Sequence, residues 1–271
     1  MEFVKAHGTG NDFVVVEDLT DRYDLTPELV RAICDRHFGV GADGVIRIAT
    51  GTEAPFFMDY RNADGSLAEM CGNGVRVVGK YLGDRGYVAG AFDLETRAGV
   101  KRLELHADNR GGIDRVTVDM GPPTLEGERT VEVDGESVTA TCLSMGNPHA
   151  VVFVDDVDKA PVTTLGPRLE TQPAFLPART NVEFAQVVDR ATVRQRTWER
   201  GVGETLACGT GACAVAVAAQ VRGLAGRPLA LELRGGRLDL DWTPGGTVRM
   251  TGPAREVAHG TLTDEFLASA R

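Results

Sequence analysis

Two short stretches set a cysteine in the same glycine frame: CGNG from Cys71 and CGTG from Cys208. A free thiol with an ordinary pKa near 8.5 is only a few per cent ionised at pH 7, and a helix N-terminus lowers that pKa. In both stretches small and apolar residues follow the glycines, which predicts a helix starting at each cysteine. Glycines there let the backbone approach a ligand closely, and the free N–H groups of a first helical turn hold a carboxylate. A thiol beside a bound carboxylate suits proton transfer at the neighbouring carbon, with those N–H groups stabilising the charge that develops. Taken singly, such a stretch reads better as a buried cysteine at a tight helix start, since free cysteine is among the most buried residue types.

The duplication changes that reading. From 71 to 208 the offset is 137, and other pieces keep nearly the same register. Gly10-Asn11, ahead of Asp12, Phe13 and Val14, faces Gly146-Asn147, ahead of Pro148, His149 and Ala150, at an offset of 136. VDMGPP (118–123) is echoed by MTGPA (250–254). One such pair is within the reach of chance; three in nearly one register predict two similar domains. The expected division is residues 1–117, with the tail 254–271 packing on them, and residues 118–253. A pseudo-twofold relation would set Cys71 and Cys208 opposite each other across a cleft. Two thiols on opposite sides of one ligand suggest a two-base reaction, in which one removes a Cα proton and the other delivers one to the opposite face. The resting pair would hold one thiolate and one thiol, because two thiolates close together repel.

The elements that must position these residues are mostly strands. DFVVVED (12–18), GVIRIA (44–49), RVTVDM (115–120), AVVFVD (150–155) and VRQRTWE (193–199) alternate as strands do. Asp64-Gly65, Asp134-Gly135, Gly235-Gly236 and Pro244-Gly245-Gly246 read as turns between them. Thr26 as N-cap and Pro27 at the first helical position predict a helix to about His37, ended by Gly39. Few helices among clustered strands favour an α+β fold over a regular βαβ repeat. Glycine, at 33 of 271 residues, is well above its usual share of about 7%. A formal charge of −10 without clustered Lys and Arg argues against a nucleic-acid partner, and no stretch reaches the roughly 20 apolar residues of a membrane span. With no leader-like N-terminus, the expectation is a cytoplasmic protein. Five cysteines without a CxxC pair read as free thiols, and Cys34, Cys142 and Cys213, which lack the glycine frame, read as structural.

Further motifs carry a resemblance over almost the whole chain: KAHGTGNDF (5–13), GVGADG (39–44), YRNADGS (60–66), EMCGNGVR (69–76), MGNPHAV (145–151), RTNVEF (179–184) and WERGVGETLACGTGACA (198–214). Together they resemble the diaminopimelate epimerases, cofactor-independent enzymes that interconvert LL- and meso-diaminopimelate. The resemblance implies two pseudo-symmetric domains, each a β-rich barrel around a central helix, with the site between them, and Cys71 and Cys208 as the acid/base pair. It further implies substrate contacts from Asn11, Asn62, Asn73, Asn147, Asn181, Glu199 and Arg200, and backbone donors from Gly72, Asn73, Gly209 and Thr210. His149 and Glu199 would tune the pKa values of the cysteines. These types suit a substrate with an amino-acid group at each end: Asn serves carboxylate and ammonium alike, and Arg200 forks onto a carboxylate. Gly44 stands where some members have Gln, so one contact to the distal end of the substrate is missing. The lysine and cell-wall precursor pathway would follow from the same resemblance.

The same residues admit other readings. GVGADG matches GxGxxG, but a predicted helix precedes it and a strand follows, the reverse of a dinucleotide fingerprint. His7, His37, His106, His149 and His259 form no metal pattern, so neither cofactor nor metal is expected. The expected partner is a small-molecule amino-acid substrate, with a homodimer as one option. Proline racemases and hydroxyproline epimerases would carry CGHG at the first cysteine, where this chain has Asn73. From another class, a disulfide switch between Cys71 and Cys208 stays open.

Overall fold

Each of the five alternating runs is a strand. In the computed structural model, which describes residues 1–270, the chain divides into two units: residues 1–118 with the segment from Gly252 onward, and residues 119–251. The first unit holds β1 (Glu2–Gly8), β2 (Asn11–Glu17), α1 (Pro27–Cys34), β3 (Gly44–Thr50), β4 (Phe56–Asn62), α2 (Gly72–Asp84), β5 (Ala91–Thr96), β6 (Gly99–Ala107) and β7 (Ile113–Asp119). The second holds β8 (Thr124–Val133), β9 (Glu136–Ser144), β10 (Pro148–Phe153), α3 (Val162–Glu170), β11 (Asn181–Asp189), β12 (Thr192–Glu199), β13 (Gly203–Thr205), α4 (Gly209–Val221), β14 (Leu229–Leu233), β15 (Gly236–Trp242) and β16 (Val248–Pro253). The chain then adds β17 (Arg255–Thr261) and α5 (Asp264–Ser269) to the first unit. Leu262 and Ala270 of this tail lie in the first unit's core with Val14, Ile33 and Val45; residue 271 lies outside the described residues.

The repeat is visible strand by strand. In the first unit the pairings run β17–β1 antiparallel, β1–β2 antiparallel, β2–β3 parallel, β3–β4 antiparallel, β4–β5 parallel, then β5–β6 and β6–β7 antiparallel. In the second, β8–β9–β10–β11–β12–β14–β15–β16 repeats that series of senses step for step. The register repeats too: Phe13 pairs with Gly44 and His149 with Asn181, while Val45 pairs with Arg61 and Val182 with Trp198. Position 13 thus answers to 149, 44 to 181, 46 to 183 and 62 to 199.

In each unit the strands wrap one buried helix. Helix α2 packs on β1, β2, β4, β6 and β17, and α4 on β9, β10, β11, β12, β14 and β15. Alanine has the highest helix propensity, and a helix apolar on every side belongs inside a core. AVAVAA meets both conditions, and every residue from Gly211 to Ala219 is buried. Asp134-Gly135 makes the β8–β9 turn with both residues at positive φ (53° and 83°), and Val133 faces Glu136 across it.

Helix α1 starts as expected, with Thr26 Oγ1 accepting from Leu29 N, but ends at Cys34 rather than near His37. Asp35 ends it by accepting from the backbone N–H groups of His37 and Phe38 at 2.7 and 2.8 Å. Gly39 lies where the chain passes close over the end of the helix, since a Cβ there would lie 2.0 Å from the Ala32 carbonyl oxygen. Helix α3 was not expected at all: Pro167 reads as a breaker, yet it sits inside this nine-residue helix.

Because the small residues of α4 fill its enclosure, Ala216→Leu is expected to destabilise the protein by about 1–3 kcal/mol through overpacking, measured by urea unfolding. Unchanged stability would mean that the enclosure has room to spare.

Candidate active site

In the first unit the chemistry gathers where β2 begins and α2 begins. Thr9 and Gly10 turn the chain at positive φ (51° and 86°) between β1 and β2, which sets Asn11 at the start of its strand. Cys71 is the N-cap of α2 in extended conformation and makes no cap bond to the helical turn. Its sulfur instead donates to Asn11 Oδ1 at 3.4 Å, which also accepts from Asn73 Nδ2 at 3.2 Å. Asn11 Nδ2 donates to Asp43 Oδ2 at 2.8 Å. An ionised carboxylate only accepts, so Asp43 decides which way the Asn11 amide faces. Asn73 Oδ1 accepts from Arg76 at 2.9 Å, and this fully buried guanidinium also donates to Thr9 Oγ1 and the Gly72 carbonyl. Asn62 is held in its own turn, with Nδ2 donating to Ser66 Oγ at 3.0 Å.

In the second unit the equivalent positions carry charge. Cys208, 6% exposed, is the N-cap of α4, and its sulfur accepts from Gly211 N at 3.4 Å and contacts Thr210 Oγ1 at 3.5 Å. Asn147 Nδ2 donates to that same Thr210 Oγ1 at 3.3 Å, and Asn147 Oδ1 lies 3.0 Å from His149 Nε2. Asn181 Nδ2 donates to the Pro148 carbonyl, and Asn181 Oδ1 accepts from the backbone N–H of Arg200 at 2.9 Å. The Arg200 guanidinium donates to the Ala178 carbonyl. Glu199 accepts from Thr205 Oγ1 and from the Cys208 side chain. Asn147, His149, Glu199, Thr210 and Cys208 therefore form one connected group, and Asn181 with Arg200 a second one beside His149 in register.

The electrostatics correct one expectation. Position at a helix N-terminus lowers a thiol pKa in isolation, but burial first, then the carboxylates of Glu199 and Glu183, push the Cys208 thiol well above its ordinary value against the opposing bonds from Thr210 and Gly211. Burial and the Glu183 charge likewise raise Glu199, opposed by Thr205, His149 and Cys208. Of the cysteines read as structural, Cys34 and Cys142 are buried, and burial pushes their thiols up to about 12 and about 11. Cys213 is buried within α4.

Two residues of these bonded groups escaped the sequence reading. Asp43 lies inside GVGADG, where the glycines drew attention, and its role emerges only once β2 and β3 are paired. Glu183 lies inside RTNVEF as an ordinary charged residue of a strand, yet it is fully buried and bonded to His149 at 2.8 Å. The Gly44 departure also gains a context: its counterpart in the second unit is Asn181, so one unit offers an amide side chain where the other offers none.

Among the described residues, no cluster of three or more His, Cys, Asp or Glu is placed to hold a metal ion, and no helix is long and apolar enough to cross a membrane.

A doubled strand-wrapped helix is a fold that solved structures share. A probable proline racemase from Agrobacterium radiobacter matches with a TM-score of 0.76 at 17% identity, over 99% of this chain and 95% of its own. The diaminopimelate epimerase family model matches residues 3–126 and 141–257. The diaminopimelate epimerase of Leptospira biflexa is 45% identical, covering 97% of this chain and 99% of that protein, and that of Moorella thermoacetica is 47% identical, covering 96% and 98%. The chain belongs to the diaminopimelate epimerase family.

The support beneath Asn11 gives a test. Asp12 is bound by Lys5 at 2.5 Å and by Arg36 at 2.8 Å, and Arg36 also holds Asp43 at 2.9 Å. Burial opposes ionisation of Asp12, but the bonds and charges of Arg36 and Lys5 outweigh it and hold the carboxyl at about 2, against an ordinary 3.8. A carboxylate with a depressed folded-state pKa contributes stability that is present above its unfolded pKa and is lost as pH falls through its folded one. Asp12→Asn is therefore expected to be less stable than the parent at neutral pH, with the difference shrinking as pH falls past 3.8 and vanishing only below 2. Urea unfolding across that range checks it, and a gap independent of pH would refute the ion-pair assignment.

Proposed function

We propose that this chain interconverts LL- and meso-diaminopimelate without a cofactor, with Cys71 and Cys208 working on opposite faces of one substrate Cα. The observation that carries the reading is the duplicated thiol at the N-cap of a buried helix; family membership supplies the substrate. One cysteine, as thiolate, takes the Cα proton, and the electron pair left behind spreads into the adjacent carboxylate. The other, as thiol, gives its proton to the opposite face and becomes the thiolate. No redox change occurs, and the reverse reaction exchanges the two roles.

The chain's own groups support each step. N–H groups of Gly72, Asn73, Gly209 and Thr210 at the two helix starts stabilise the carboxylate as charge builds on it. The raised thiol of Cys208 favours the proton-loaded form, which suits it to deliver a proton. Asn11 stands against the Cys71 sulfur with Asn73 bonded to it, Asn147 reaches Cys208 through Thr210, and in this reading Asn62, Asn181, Glu199 and Arg200 hold the ammonium and carboxylate groups of the substrate. The same reading makes the protein a cytoplasmic enzyme of lysine and cell-wall precursor synthesis.

The test is formation of meso-diaminopimelate from the LL form by the purified protein, followed by chiral chromatography. Cys71→Ala and Cys208→Ala are each expected to slow it by about 10²–10⁴-fold, the usual contribution of a positioned acid or base, with circular dichroism unchanged. An inert parent protein would end the substrate assignment, and full activity in either variant would end the two-thiol mechanism.

A further inference from the structure

Glu183 acts on Cys208 through its charge, but its burial and its bond to His149 point to a second role. It is 0% exposed on β11; Oε1 lies 2.8 Å from His149 Nδ1, and Oε2 has no hydrogen-bond partner among the described residues. The backbone makes room for it, since a Cβ on Gly211 would lie 2.6 Å from Oε1. Burying a carboxylate costs free energy that one imidazole contact offsets only in part.

The fold itself does not require this charge. Register matches Glu183 with Ile46 and His149 with Phe13, and the 137-residue offset matches Gly211 with Gly74. A Cβ on Gly74 would meet Ile46 Cδ1 at 3.0 Å and Phe13 Cζ at 3.7 Å. The first unit thus builds the same corner, under the same first helical turn, from two apolar side chains. Only the second unit replaces them with a carboxylate and an imidazole.

From Glu183 a series of contacts runs to the sulfur: His149 Nδ1, then Nε2 to Asn147 Oδ1 at 3.0 Å, Asn147 Nδ2 to Thr210 Oγ1 at 3.3 Å, and Thr210 Oγ1 to Cys208 Sγ at 3.5 Å. We propose that Glu183 is a positioning residue: its carboxylate fixes the His149 ring, the ring fixes the Asn147 amide, and Asn147 holds Thr210 against Cys208. A carboxylate and an amide oxygen both only accept, so His149 meets Glu183 with Nδ1–H and Asn147 Oδ1 with Nε2–H. For its substrate the proposal rests on the diaminopimelate reading; for its geometry it does not.

A double-mutant cycle over the parent, Glu183→Gln, Asn147→Ala and the combined variant tests it. Glu183→Gln is expected to lower kcat for meso formation by about tenfold while KM stays within about threefold, and to add less than about twofold on top of Asn147→Ala, as residues of one network do. Additive effects would overturn the proposal. A second variant guards against misfolding: His149→Phe with Glu183→Ile copies the first unit's corner and is expected to unfold at or above the parent's midpoint while losing kcat as Glu183→Gln does. Loss of its cooperative unfolding would overturn the proposal by making the pair structural. The same cycle is run on alkylation of Cys208 by iodoacetamide, read by peptide mass spectrometry, which needs no substrate. If the parent makes no meso isomer, the substrate reading fails on its own, while non-additive alkylation still upholds Glu183 and additive alkylation overturns it.

Discussion

A sulfur at the N-cap of a buried helix is the constraint on which each unit is built. The helix must lie inside the strand layer so that its first turn faces a site rather than bulk water, and so it must be made of small or apolar residues. Its first turn must stay bare. Gly74 and Gly211 occupy the same place in that turn, and each has a side chain from the fourth strand of the repeat, β3 or β11, where its own Cβ would be. The strand order, the parallel step between β2 and β3 or between β10 and β11, and the asparagine at the start of β2 or just ahead of β10 all bring polar groups to that turn.

The two units solve this problem with different chemistry. The first surrounds Cys71 with amides, Asn11 and Asn73, backed by a buried Arg76 and by Asp43. The second surrounds Cys208 with Glu199, Glu183 and His149. Burial and nearby carboxylates oppose ionisation of a thiol, so the second unit favours a proton on the Cys208 sulfur. A duplicated fold whose halves differ in this way suits a reaction that must take a proton at one place and give it at another.

Much of the fold was legible because its signals are local. Valine-rich alternation marked β2, β3, β7, β10 and β12, and Thr26-Pro27 marked the start of α1. The end of α1 was missed because a side chain, Asp35, captures two N–H groups that the helical pattern alone would assign to a further turn. Pro167 hid α3, whose place depends on packing against β11 and β12 rather than on propensity. Both thiols were legible through the repeat, yet Glu183 was not. In NVEFAQVV it alternates with Val182 and Phe184 and reads as a solvent-facing residue, although β11 is buried on both faces there. The offset of 137 held the missing signal, for it sets Glu183 against Ile46 in the apolar run GVIRIA.

The central claim is that two different groups handle the leaving and the arriving proton. The most direct measurement is the label in the first turnovers of LL-diaminopimelate in deuterium oxide. With two thiols, the meso product carries deuterium at the inverted Cα from the outset while the remaining LL substrate carries none, because the proton removed on one face is never the one returned on the other. Early product that keeps its original proton, or substrate that gains deuterium before any product forms, would contradict the account and point to a single base serving both faces.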